Sequence, residues 1–215
     1  MVMKIKVLFI CLVCIPLLIS SCKKDKEEET KLPVYAGITN DEMQHQQIDP
    51  PLQVHISYFS EDHFYYGIDS LDIDQNGKFD FLIKIGYFDD YRDVSSILYY
   101  PSTEFVVTDS IQFTTNLEYY PMGLGAFGQI YWVDTLSYNT RIDDMEKWYP
   151  QDKQYLWVVP KAVIWGSNGP WFSLENSEKY IGLRMKKGDS YKYGWIKVKV
   201  ITRTQLEFQA FAIQK

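Results

Sequence analysis

The sequence predicts a mainly β protein, an antiparallel β-sandwich or jelly-roll-like fold with one or two short helices. Three observations predict it. Apolar residues recur at every second position in short runs, Gly, Pro, Asn and Asp separate the runs, and Tyr (17 residues) and Trp (6) are abundant. Aromatic side chains of this kind favour pleated, half-buried surfaces. Apolar residues make up 46% of the 215, which suffices for one packed core of ordinary domain size. No repeat of roughly 20–50 residues recurs, which sets a propeller or solenoid aside.

Taken in order, the elements begin with a polar stretch from Thr39 to Ile48. Asn40 or Asp41 suits a helix N-cap there, and Pro50-Pro51 blocks any continuation, so a first short helix is expected. From Leu52 onward strands dominate. Phe81, Ile83, Ile85 and Tyr87 share one strand face, and Tyr131 and Val133 belong to another strand. Ile142, Met145 and Trp148 stand at helical spacing before Pro150 and predict the second helix. Tyr155 to Val159 and Val163 to Trp165 flank Pro160 as two further runs. Ile181, Leu183 and Met185 alternate with Gly182, Arg184 and Lys186 up to a turn at Lys187-Gly188-Asp189. Beyond that turn Ile196, Val198 and Val200 alternate with Trp195, Lys197 and Lys199. This reads as a hairpin with one wet face. Leu206 to Ile213 forms the last strand.

The N-terminus is of another kind. Lys4 and Lys6 precede an apolar run from Val7 to Ile19, interrupted by Pro16 and ended by Ser20 and Ser21. That is the layout of a secretory signal, and the run is shorter than the roughly 20 residues a membrane-spanning helix needs. Ile19-Ser20-Ser21-Cys22 resembles the bacterial lipobox, which implies cleavage before Cys22 and lipid attachment to its sulfur. The next residues, Lys23-Lys24-Asp25-Lys26-Glu27-Glu28-Glu29, hold nothing to bury and read as a tether. A charged tract in this place resembles the surface-export signal of Bacteroidota lipoproteins, implying an outer-membrane anchor facing the cell exterior. The organisation expected is therefore a signal at 1–21, a lipidated tether and lead-in at 22–50, and one β domain at 51–215.

Charge and cysteine count narrow the function. Losing Lys4 and Lys6 with the signal leaves 20 basic against 28 acidic residues, a formal charge of −8. No basic stripe is present for a phosphate backbone, so no nucleic-acid partner is expected. Two of the three cysteines, Cys11 and Cys14, leave with the signal, and Cys22 is taken by lipid. The exported body then has no disulfide, thiolate metal site or cysteine nucleophile. His45, His55 and His63 are spaced for no zinc motif. Gly123-Leu124-Gly125-Ala126-Phe127-Gly128 spells a dinucleotide fingerprint, but the strand-like residues after it supply no helix to receive a pyrophosphate.

One stretch has the chemistry of a cation site. Asp72, Asp74, Asn76 and Asp80 fall at loop positions 1, 3, 5 and 9, Gly77 at position 6, and the Lys78 carbonyl at position 7. Oxygen donors at this spacing suit calcium. The stretch resembles the calcium loops of dockerins and thrombospondin type-3 repeats, which implies a structural ion. Position 12 is Ile83 rather than a carboxylate, so a further ligand must come from elsewhere, with Asp69 the nearest acid. The same Asn76-Gly77 pair is also a strong hairpin-turn signal.

Trp165 and Trp171 stand at the shoulders of Gly166-Ser167-Asn168-Gly169-Pro170 and suit sugar stacking if exposed. The leading expectation is an envelope lipoprotein displaying a β-sandwich binding module for a glycan or another envelope protein. The alternatives are a secreted glycosidase-like hydrolase using paired carboxylates, and a purely structural envelope protein.

Overall fold

The computed structural model describes residues 32–59, 64–88, 102–107, 111–123, 126–149, 153–158 and 169–215. Val163 to Trp165, including the candidate ligand residue Trp165, lies outside these, as does the lipobox with Cys22. From Pro33 to Lys215 the chain forms one compact unit. It is a β-sandwich, and no helix occurs among the described residues.

One layer is a five-stranded antiparallel sheet in the order β2-β14-β13-β12-β7. Its strands are β2 (Met43–His55), β7 (Ile111–Phe113), β12 (Ser177–Lys187), β13 (Ser190–Thr202) and β14 (Gln205–Gln214). The other is a seven-stranded sheet in the order β3-β4-β5-β6-β11-β9-β8. It comprises β3 (Tyr58–Phe59), β4 (Phe64–Leu71), β5 (Phe81–Phe88), β6 (Ser102–Val107), β8 (Thr115–Gly123), β9 (Ala126–Val133) and β11 (Lys153–Val158). Its one parallel junction pairs β11 with β9 at Tyr155 and Trp132. A short ribbon of β1 (Val34–Tyr35) and β10 (Arg141–Ile142) completes the set.

The expected hairpin is present, with Lys187 opposite Ser190 across a two-residue turn and Ile181 opposite Ile196. Ile181, Leu183, Met185, Ile196, Val198 and Val200 point into the main core, where they meet Phe81, Ile83, Ile85 and Phe105 of the facing sheet. Phe81, Phe105 and Phe113 pack ring against ring at 5.0–5.2 Å between centroids. The second face of the hairpin is wet only in part, at Glu178, Lys186, Lys197 and Lys199. Val34, Ala36, Met43, Leu136 and Ile142 cover Tyr193, Trp195, Ala210 and Ala212 there in a second apolar cluster. Alternation with Gly, Arg and Lys concealed this, because Gly182 is buried against Thr114 and Leu136 and Arg184 lies over the rings of Trp148 and Tyr191.

Both expected helices are absent. Thr39 to Ile48 turns at Asn40, whose side chain accepts the Glu42 N–H (3.0 Å), and then enters β2 at Met43. The capping chemistry is present, but the backbone beyond it pairs with β14 from Gln214 back to Gln205. Pro50-Pro51 does not end that strand. Phe208 pairs with Leu52 and Ala210 with Gln47, so Ile48 to Pro51 bulge opposite Gln209 alone. Prolines are tolerated at such an irregularity on an edge strand. The residues assigned to a lead-in therefore supply β1 and most of an edge strand, and the folded body reaches back to Pro33. Around Ile142, Met145 and Trp148 the side chains do not share a helix face. Ile142 is buried in β10, Met145 is 85% exposed, and Trp148 sits half-buried, bridged through its backbone to Thr114.

The two layers meet closely at one corner. After β2 the chain crosses sheets at Ile56-Ser57, and Gly67 of β4 lies so near that a Cβ there would stand 1.9 Å from the His55 carbonyl oxygen. Only glycine permits that approach.

Candidate metal centre

The loop 72–80 joins Leu71 at the end of β4 to Phe81 at the start of β5, which pair with each other. The Asp80 N–H donates to the Leu71 carbonyl at 2.9 Å, closing the loop at its base. This is a nine-residue loop rather than a two-residue turn, so the hairpin and the cation-loop readings of Asn76-Gly77 describe one structure. Gly77 adopts φ +83° and Gln75 φ +56°, the left-handed backbone that lets the chain coil inward.

Inside the coil the acidic side chains organise the backbone. Asp72 accepts the N–H groups of Asn76 (3.1 Å) and Gly77 (2.8 Å), and the Asn76 side-chain oxygen accepts that of Lys78 (2.8 Å). Asp80 is buried and accepts the Ile73 N–H at 2.7 Å. One oxygen from each of Asp72, Asp74 and Asp80 lies within 4.8 Å of the others. The expected residues are thus brought together as a set, with Asn76 and Lys78 on the same coil. Asp69 is not among these converging oxygens. It points along β4, where its carboxylate accepts the Ser70 N–H at 2.7 Å. Ile83 at position 12 is fully buried in the core.

Burial pushes the Asp80 carboxyl above its ordinary range, and the neighbouring charges of Asp74 and Asp72 add to this. A divalent cation would relieve both effects at once. At Asp74 the balance is opposite. Burial opposes ionisation, but the Lys187 ammonium and hydrogen bonds from Asn76 together outweigh it and hold Asp74 below the usual range. Lys187, on the β12–β13 hairpin of the other sheet, makes an ion pair with Asp74, and the Gln75 amide donates to Gln46 of β2. Both contacts tie the loop to the five-stranded sheet. Sequence reading missed them because 113 and 29 residues separate the partners.

Lys187 supplies one positive charge where three carboxylates converge. Removing that charge by Lys187→Gln leaves a net charge of −3 for an incoming ion, and calcium affinity is expected to rise several-fold. Calorimetric titration of the variant beside the parent checks this; unchanged or weaker affinity would show that Lys187 is not a competitor.

A second carboxylate group flanks β10, with Asp134 before it and Asp143 and Glu146 after it. Burial, reinforced by Glu146, pushes Asp134 up to about 6, while Lys147 opposes. Glu146 is itself raised by burial and by Asp143. No motif marked these residues, since they are paired by the fold of the 134–148 segment and not by spacing.

Of the two tryptophans expected as an aromatic platform, Trp165 lies outside the described residues and Trp171 is turned inward. Trp171 is fully buried, and its indole N–H donates to the Val133 carbonyl at 2.9 Å, so it offers no face to a sugar. Trp132, Trp148 and Trp195 likewise donate to internal acceptors, at 2.6 Å to Glu118, 3.0 Å to the Asp143 carbonyl and 3.0 Å to the Ile38 carbonyl. The dinucleotide-like glycines span the β8–β9 hairpin, with Gly123 opposite Ala126 and a strand, not a helix, following. Comparison with protein-family models, curated proteins and solved structures found no match for this chain.

Proposed function

We propose that this chain is a lipid-anchored envelope protein, held in the outer membrane through Cys22 and facing the cell exterior. Its β-sandwich acts as a binding or interaction module, and calcium at Asp72–Asp80 stabilises it. A glycan or another envelope protein is the partner class that such a location offers. The observation that carries the calcium reading is the convergence of three carboxylate oxygens within 4.8 Å on a loop tied to both sheets. Asp72, Asp74, Asp80 and Asn76 would contribute side-chain oxygens and Lys78 its carbonyl, all hard donors, with water completing the shell in place of the missing twelfth-position carboxylate. Bound there, the ion would offset the mutual repulsion of the acids and hold the loop in its coil.

A hydrolase is the weaker reading. Carboxylate-dependent hydrolysis needs one carboxyl ionised and its neighbour protonated, which environments achieve by pushing two pKa values apart. Asp134 and Glu146 are both pushed upward.

The test is calcium titration of the mature protein by calorimetry, with melting followed in calcium and in chelator. Saturable binding is expected, together with a stability gain of about 1.4 kcal/mol at ten times the Kd. Both should vanish in Asp72→Asn/Asp80→Asn. No heat of binding and no shift in melting would reduce the loop to a turn.

A further inference from the structure

An aromatic surface does reach solvent, on the hairpin of β8 and β9 at one edge of the seven-stranded sheet. Tyr119 lies opposite Gln129 and Leu117 opposite Tyr131, so strand alternation brings all four to one face. Their polar atoms are joined in a row. The Tyr131 hydroxyl donates to the Gln129 side-chain oxygen at 3.2 Å, and the Gln129 amide donates to the Tyr119 hydroxyl at 3.5 Å. Tyr149 extends the row, its ring 5.3 Å from that of Tyr131 between centroids and tilted by 56°. Gln154 holds it there, donating from its side-chain amide to the Tyr149 carbonyl at 3.1 Å. Tyr119 (59%) and Gln129 are exposed, and Tyr131 and Tyr149 are half-buried behind them.

Charge and hydrogen-bonding capacity decide what this row takes. No charged residue of β8 or β9 alternates onto its face, because Glu118 turns to the other, where it accepts the Trp132 indole N–H. The charge of Lys147, two residues before Tyr149, bears on Asp134. An ionic ligand therefore finds no counter-charge among the four side chains, and an apolar one would leave their amide and hydroxyl groups dry. A neutral sugar chain meets both demands, since its rings offer C–H faces to the tyrosines and its hydroxyls bond amide and phenol groups. We propose that the row of Tyr119, Gln129, Tyr131 and Tyr149 is a glycan-binding site, with an uncharged oligosaccharide lying along it. This rests on the glycan reading proposed above and gives it a surface. Tyr119 and Tyr131 supply the stacking faces, and Gln129 between them supplies the hydrogen bonds that orient the chain. The side chains are tied to one another beforehand, so little rotamer freedom remains to be lost on binding.

The experiment uses the full-length lipidated protein in a polyoxyethylene detergent, which carries no sugar. Dye-labelled hexasaccharides of β-linked glucose, xylose, mannose and N-acetylglucosamine are titrated by fluorescence anisotropy, with hexagalacturonate as the acidic comparison. At least one neutral chain is expected to bind, and hexagalacturonate is not. Tyr119→Ala and Gln129→Ala, both at exposed positions, should each weaken that binding about tenfold at unchanged melting temperature. Tyr138→Ala is the control. Its ring is 63% exposed and neighbours Tyr180 of the five-stranded sheet, so it removes an equally accessible tyrosine outside the row and should leave the affinity unchanged. Neutral-chain binding that survives both row variants, or that falls as far in Tyr138→Ala, would overturn this inference alone and leave glycan binding to another surface. Binding of hexagalacturonate only would do the same. Binding of none of these chains would overturn the inference and the glycan reading together.

Discussion

Trp171→Ala is expected to lower the stability of the domain by about 3–5 kcal/mol, the range for truncating a fully buried indole. The ring belongs to the main core, the cluster built from both layers, and none of it reaches solvent. Two losses combine. The cavity left by the ring forfeits its packing, and the Val133 carbonyl loses the indole donor 2.9 Å away. Trp171→Phe separates them, since it keeps most of the volume and removes the donor, and should cost about 1–3 kcal/mol. Urea denaturation gives both values, with a shifted midpoint at unchanged slope. A residue serving as a sugar platform would behave differently. Loss of less than about 1 kcal/mol in Trp171→Ala would return it to the surface and contradict the packing.

The fate of Trp171 shows how much of this protein was legible beforehand. Two tryptophans around a Gly-Pro turn look alike whether the turn is outside or folded back, because burial depends on what packs over the turn. Period-two alternation in β5, β12, β13 and β14 was legible, since each strand has one face in the main core. The second apolar layer was not. Its members come from Val34 to Met43, from Leu136 to Ile142, and from the small or mixed positions Ala210 and Ala212, so no single window contains the pattern. In β14 the alternation also changes phase. Leu206 and Phe208 face the main core, then Gln209 bulges and Phe211 and Ile213 take over. One extra residue exchanges the faces of everything beyond it. The helical spacing of Ile142, Met145 and Trp148 misled for a related reason: three apolar residues at intervals of three define a helix only when their backbone groups pair locally. Here Asp143 accepts the Met145 N–H at 2.8 Å and turns the chain.

The metal loop was legible because its donors lie within nine consecutive residues and the spacing itself carries the chemistry. Its attachment was not. Lys187 and Gln46 reach the loop only once the two sheets face each other, and they convert a local coil into a link between layers. The same limit applies to Asp134 and Glu146, whose interaction depends on how the 134–148 segment returns over the five-stranded sheet.

That segment is expected to contribute stability in mild acid that is lost at neutral pH. Asp134 has its carboxyl raised from 3.8 to about 6, first by burial and then by the Glu146 charge, with Lys147 opposing. An acid whose pKa is higher in the folded chain binds its proton more tightly there, so the folded state gains where that proton is held. The gain is complete below about 3.8 and is lost as pH rises through about 6. Fully converted, the shift would be about 3 kcal/mol; solvent access to the half-buried group reduces this to about 1–2 kcal/mol. Asp134→Asn carries no titrating proton, so it should be more stable than the parent by that amount at pH 7.5 and no more stable at pH 4. Glu146→Gln removes the repelling charge and should shift the Asp134 transition to lower pH, narrowing the window without closing it. Urea melts of the three proteins at pH 4, 6 and 7.5 measure all of this. A parent and an Asp134→Asn variant that keep a constant stability difference across the series would mean that the carboxyl titrates alike in the folded and unfolded chains, and that Glu146 does not act on it.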